Sequence, residues 1–285
     1  MKTNNSKIDF VKDTFEEYLG KKDHVSASDI KNFMKSPKYY QYKKYLSVKD
    51  KEEERYFVMG SALHECILEP HQFFDNYYPI DKIDKRTADG KKQYQECLEQ
   101  ANGRKLLYKD EMDIILKMSK NASDNETFCE LIKDSYRELS IYTIDERTGL
   151  KIKMRPDVFS KNKSTIVDLK TCNNSSPRDF KSDVYKYGYS ITDAFYKDFC
   201  NKENYVFCAI EKQEPYQVSL YQLNDEMVTF GRVTYRTALD LLKWSYENNY
   251  WCDYNEFEIL KECYQLGTID EFFEINKLTN RISIL

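Results

Sequence analysis

Residues 153–171 read KMRPDVFSKNKSTIVDLKT: an aspartate, a short polar insert, then Asp-Leu-Lys inside an apolar run. Alternate side chains of a strand share a face, so Asp168 and Lys170 project together while Val167 and Leu169 point the other way. Ser160, Lys161, Asn162 and Lys163 supply the turn that folds the strand ending at Asp157 back alongside Asp168. Two carboxylates and one ammonium then converge. Ile166, Val167 and Leu169 mark a buried central strand, where charges at 168 and 170 are costly without partners. Such a set suits metal-assisted phosphodiester hydrolysis. Hard divalent cations bind one or two protein carboxylates, here Asp157 and Asp168, together with water and phosphate oxygens. Lys170 would orient the attacking water or offset charge developing on the phosphorane.

Working outward, 141–144 and 150–154 read as strands joined through Asp145 to Gly149 and feeding directly into this hairpin. Pro156 has no N–H to give a ladder, so the strand ends or bulges beside Asp157. Lys151, Lys153 and Arg155 alternate toward one face of it, which makes Lys153 and Arg155 candidate DNA contacts. Glu138 reads as an exposed strand residue, with an outer carboxylate as the alternative. Downstream, Ser176-Pro177 starts a helix and 191–199 forms another. Thr192 and Tyr196 lie one turn apart there, facing the strand end that carries Asp168 and Lys170. Residues 205–210 and 216–223 pair as strands across 211–215, and an amphipathic helix follows over 225–246. A weak strand-like end stands at 282–285.

Upstream, the chain reads as helical. Ser26 with Asp29, and Ser36 with Pro37, are helix starts. Apolar Phe57, Met59, Leu63 and Ile67 space a buried helix face over 56–68, with Gly60 a place for close backbone approach and Pro70 ending the helix near Glu69. Residues 87–135 form helices broken near Asn102-Gly103 and 121–125. Residues 10–19 hold one short helix within a polar start.

At 285 residues and 41% hydrophobic, the chain can bury a sizeable core. No apolar run is long enough to span a bilayer and the polar start is unlike a signal peptide, so the expected location is the cytoplasm, without membrane contact. Eight cysteines are scattered without tight pairs, which predicts reduced core thiols and no iron–sulfur cluster. A net charge of −4 is awkward for a DNA enzyme unless positive potential is local.

Pro156-Asp157 and Asp168-Leu169-Lys170 resemble the PD-(D/E)xK nuclease signature. The chain is similar, beyond that hairpin, to RecE-type (exodeoxyribonuclease VIII-like) phage and prophage exonucleases of the RecB-like branch. Val25-Ser26-Ala27-Ser28, Ser36-Pro37 with Tyr40, Gly60 to His64 followed by Leu68-Glu69-Pro70, Arg86-Thr87 with Gly90, Met154 to Asp157, and Asp193 to Tyr196 carry that resemblance over roughly residues 25–231. It implies a restriction-endonuclease-like α/β core, with a central mixed sheet flanked by helices and a largely helical N-terminal half. The domain spans 25–250, helical over 25–135 and carrying the catalytic sheet over 136–250, between a polar segment 1–24 and a C-terminal extension 251–285. The resemblance also implies a metal held by His64, Asp157, Asp168 and the backbone carbonyl of Leu169, with Glu65 the local rival to His64. The cation would be Mg2+, with Mn2+ a possible substitute. It further implies 5′-to-3′ resection of double-stranded DNA ends for a single-strand annealing protein, by a ring-shaped homo-oligomer. Thr192 and Tyr196 are further DNA-binding candidates, and the chain departs from this pattern at Thr192, where such proteins usually carry glutamine four residues before the tyrosine. Rival readings are a RecB-like nuclease of other polarity, an endonuclease in phage defence, and a catalytically weak DNA- or protein-binding module.

Overall fold

The computed structural model describes residues 7–47 and 55–278; the strand-like end at 282–285 lies outside the described residues. Helix starts fall where capping chemistry puts them. A short strand β1 (Asp9–Val11) and helix α1 (Phe15–Gly20) precede α2 (Ala27–Lys35) and α3 (Pro37–Gln41). Ser26 and Asp29 form a reciprocal capping box, and Ser36 caps α3 with Pro37 in its first turn. Helices α4 (Arg55–Leu68) and α5 (Pro70–Asn76) break at Glu69, whose φ of −135° is not helical because Pro70 follows. Strands β2 (Tyr77–Ile80) and β3 (Lys105–Tyr108) pair in parallel across α6 (Ala88–Ala101). Helices α7 (Lys109–Ser123) and α8 (Glu126–Ile132) complete this half. Gly60 borders open space, so the close approach expected there is not made; in this half the tight glycine is Gly90, where a Cβ would lie 2.0 Å from the Asp84 carbonyl oxygen.

The second half brings β4 (Ser135–Arg137), β5 (Ser140–Ile144), β6 (Lys151–Met154), β7 (Val158–Ser160) and β8 (Thr165–Cys172). Helices α9 (Pro177–Tyr187) and α10 (Tyr189–Cys200) then cross to β9 (Asn204–Glu211), followed by β10 (Val218–Tyr221) and the long α11 (Asp225–Glu247). The central sheet has the order β10-β9-β8-β7-β4 and is mixed: β8 and β9 are parallel, the other pairs antiparallel. Strands β5 and β6 do not extend it. They pair with each other and with β1 as a separate antiparallel sheet, and the chain passes from one sheet to the other at Arg155-Pro156-Asp157, where Pro156 has no donor to continue a ladder.

Alternation along β8 divides the core. Val167 and Leu169 pack in one cluster with residues of α4 and α7, while Ile166 and Cys172 join the cluster of α2, α10 and α11. Asp168 and Lys170 therefore face the α10 side. Helix α10 sits close on α11 because Gly231 leaves room: a Cβ there would meet the Ser190 carbonyl oxygen at 2.0 Å. The two flanking segments belong to this body. Strand β1 extends the smaller sheet, and past α11, α12 (Tyr254–Leu266) and α13 (Phe272–Leu278) supply Phe257, Leu260 and Phe272 to the main core. All eight cysteines are free thiols and six are buried. No helix among the described residues is long and apolar enough to cross a membrane.

Candidate active site

Two short strands set the centre. Antiparallel pairing of Val158 with Val167 brings Asp157, one residue before β7, beside the middle of β8. Its Oδ2 accepts the Leu169 N–H at 2.6 Å, so the backbone of β8 fixes the carboxylate. Asp168 and Lys170, on one face of β8, form an ion pair with Oδ2 and Nζ 2.5 Å apart. Helix α4 turns Leu63 and Ile67 into the core and leaves His64 facing Asp157, with Nδ1 3.6 Å from Oδ2. Glu138 completes the group. Its backbone has the left-handed φ of 50°, its N–H donates to the Asp157 carbonyl at 3.2 Å, and its carboxylate joins His64 and Asp157 with one ligand atom from each within 4.8 Å of the others.

Burial governs the charges here. It pushes the Asp157 carboxyl up, the charge of Asp168 adds to this, and His64 opposes it. Glu138 is pushed up to about 8 by burial and then by Asp157, although Arg155 Nε at 3.0 Å holds it down in part. Burial alone would lower Lys170, but the charges of Asp168 and Asp157 outweigh it and hold the ammonium above its ordinary value. Even with Arg155 on Glu138 and Lys170 on Asp168, burial and mutual repulsion leave both Asp157 and Glu138 raised, so their negative charge is not fully offset. A divalent cation fits that deficit, with carboxylate oxygens as its main donors.

The description "PDDEXK-like domain of unknown function (DUF3799)" matches residues 26–262. This chain belongs to that family. Among solved structures the PDDEXK-like chain is similar to one described as "Putative exonuclease" from Eubacterium rectale, with a TM-score of 0.58 and 17% identity over 82% of this chain and 87% of that one. That likeness shows the fold alone. An alkaline exonuclease from Laribacter hongkongensis shares 12% identity over 82% of this chain and 95% of its own, at a TM-score of 0.35. No curated protein matches the sequence.

Several candidate residues of this PDDEXK-like domain sit elsewhere than their spacing suggests. Lys153 is buried, donating to the carbonyls of Tyr18 and Lys21 at 2.9 Å each, and burial lowers its pKa to about 8. Arg155 turns inward to Glu138, the Asp13 carbonyl and Ser140 Oγ. Neither side chain forms a basic track for DNA, because the strand carrying them is covered by the N-terminal segment; Lys151 is exposed and pairs with Asp23 at 2.8 Å. Glu138, read as an exposed strand residue, is the third member of the cluster. Glu65 is outside it, accepting from Asn76. The Leu169 carbonyl receives Lys170 Nζ at 3.4 Å, and Asp168 is held by the same ammonium. Tyr196 is half-buried, and its hydroxyl accepts the Arg155 N–H at 3.2 Å, bracing the backbone two residues before Asp157. Thr192 accepts a hydrogen bond from Lys31 Nζ at 3.3 Å. Lys31 of α2 was not among the residues singled out from the sequence. Burial, then the like charge of Lys170, lowers it to about 8, which places it electrostatically at the site. No local pattern in 27–35 could have found it, since its neighbours come from β8 and α10.

Proposed function

We propose that this protein is a divalent-metal-dependent deoxyribonuclease, an exonuclease that resects one strand of linear double-stranded DNA from an end. The observation that carries the proposal is the convergence of Asp157, Asp168 and Lys170 on the β7–β8 hairpin, with His64 and Glu138 closing the group. His64, Asp157 and Glu138 would hold the cation, with Asp168 and the Leu169 carbonyl as the further donors; bound there, it supplies Lewis-acid polarisation of the phosphate and of water. Lys170 stays protonated at neutral pH under the charges of Asp168 and Asp157, and so offsets negative charge as water adds to phosphorus and the bond to the departing ester oxygen breaks. Asp157 is held in register by the Leu169 N–H, which keeps the carboxylate fixed while charge moves. Mg2+ is the expected cation, and Mn2+ would substitute for it. The 5′-to-3′ polarity, the annealing-protein partner, the homo-oligomer and a cytoplasmic location are proposed on the RecE-type resemblance.

An end-labelled linear duplex tests this directly. Wild type should release labelled nucleotides in magnesium and stop in EDTA, and Asp168→Ala should lose activity by orders of magnitude while its circular dichroism is unchanged. Equal rates with and without magnesium would refute the mechanism. Wild type no faster than Asp168→Ala would leave a binding module.

A further inference from the structure

The site has an aromatic edge that hydrolysis alone does not require. Phe207, the β9 register partner of Asp168, is fully buried; Tyr189, at the start of α10, stacks on it with centroids 5.4 Å apart and planes 23° apart. Tyr187, the last residue of α9, stacks on Tyr189 in turn at 5.7 Å and 28°. The staircase exists because one residue, Gly188, joins the two helices. Its φ of 62° suits glycine, and a Cβ there would press on the Lys31 side chain at 3.1 Å. Lys170 Nζ lies 5.4 Å from the Tyr189 centroid, so the stack begins at the candidate catalytic lysine and ends in solvent.

Tyr187 is 47% exposed, and its hydroxyl makes no hydrogen bond to a described residue. Only one face of the ring is packed on Tyr189. Exposed Lys186 lies over the ring with Nζ 5.1 Å from the Tyr187 centroid, and the Lys31 side chain runs past Gly188 at the base of the stack, its only hydrogen bond among the described residues being the one to Thr192. An aromatic face beside ammonium groups is what an unpaired nucleotide needs, a π-surface for any base and positive charge for the phosphates on either side.

We propose that Tyr187 is the outer step of a stacking platform for the unpaired nucleobase next to the scissile phosphate, with Lys31 and Lys186 meeting the flanking phosphates. This rests on the nuclease reading. The platform is indifferent to base identity, as an enzyme working along arbitrary sequence requires. It also favours a strand end separated from its complement over a paired one.

The test is a cycle of protein against DNA, read as binding. Fluorescein-labelled duplexes with two unpaired terminal nucleotides, carrying either normal bases or abasic sugars, are titrated with wild type, Tyr187→Ala and Tyr187→Trp in calcium, with anisotropy giving Kd. Removing the bases should weaken wild-type binding by about 5- to 100-fold. Tyr187→Ala should bind both substrates alike, at the affinity wild type shows for the abasic one, and Tyr187→Trp should keep the difference. Affinity unchanged by Tyr187→Ala, or a base effect that persists in it, overturns the platform. If wild type nevertheless cleaves linear duplex in magnesium, the nuclease reading stands without it; no binding of either substrate by wild type overturns both.

Discussion

Thr192 stands where RecE-type proteins usually carry glutamine, and its neighbours say what the shorter side chain does. The hydroxyl accepts from Lys31, an ammonium that burial and Lys170 already make costly to charge. Losing that acceptor removes a hydrogen bond to a charged group, worth about 1.5–3 kcal/mol in favourable cases. Thr192→Val is therefore expected to lower single-turnover cleavage by about 3- to 30-fold while the fold survives, since valine fills nearly the same volume. Thr192→Gln should be tolerated, because an amide oxygen can accept from Lys31 and its N–H2 can still donate. Single-turnover rates of both variants, set beside Asp168→Ala, check this; a Thr192→Val rate equal to wild type would mean that the hydroxyl only fills space. Sequence reading located Thr192 and its helical face but not Lys31, because a tertiary partner 161 residues away leaves no trace in local spacing. Glu138 was misplaced for a related reason: its left-handed backbone follows from the irregular junction between β4 and β5, which periodicity does not encode.

Helix α10 carries the site's support on one face and an internal cost on another. Asp193 is fully buried, with Lys197 Nζ 3.1 Å away on the next turn, Arg232 of α11 nearby and Asp198 opposing it; burial outweighs these cations and pushes the carboxyl up to about 6. Unfolded, the same carboxyl titrates near 3.8. Between those values the folded chain holds a proton that the unfolded chain has lost, so this group's contribution to stability falls as pH rises from 4 to 6 and stays low above. Asp193→Asn cannot ionise. Relative to wild type it should gain about 1–3 kcal/mol in urea unfolding between pH 5 and pH 7.5. A difference between the two proteins that does not change with pH would mean that Asp193 ionises as readily in the folded chain as in the unfolded one. Elements like α10 and α11 were legible because their caps and apolar spacing are local. Val167 and Leu169 likewise announced the buried face of β8. The assignment of β5 and β6 to a second sheet was not legible, since alternation gives a strand's faces but not its neighbours, and the three residues of β1 are too short to signal.

For the whole molecule, the proposed nuclease activity raises the question of how a protein of net charge −4 would stay on DNA. The strand that looked basic contributes little, because Lys153 is buried and satisfied and half-buried Arg155 turns inward to Glu138; off that strand, Lys44 is likewise paired, with Asp29 at 2.8 Å. Lys170 is paired with Asp168 in the same way, which leaves Lys31 and Lys186 for on the order of two phosphate contacts, so log K should fall with log salt at a shallow slope of about −1 to −3 rather than steeply. So few contacts hold one protomer weakly. The proposed resection would then need something other than charge to prevent escape, and enclosure of the duplex by an oligomer, as the RecE-type resemblance implies, would provide it. Enclosure has a topological signature. A threaded enzyme needs an end, so linear duplex should be degraded in magnesium while covalently closed circles of the same sequence survive, and cutting those circles once with a restriction enzyme should make them substrates. Electrophoresis of the three forms over time makes the comparison. Rapid nicking of closed circles would show that no end is needed, and the same Asp157, Asp168 and Lys170 would then serve an endonuclease that meets its phosphate from the side.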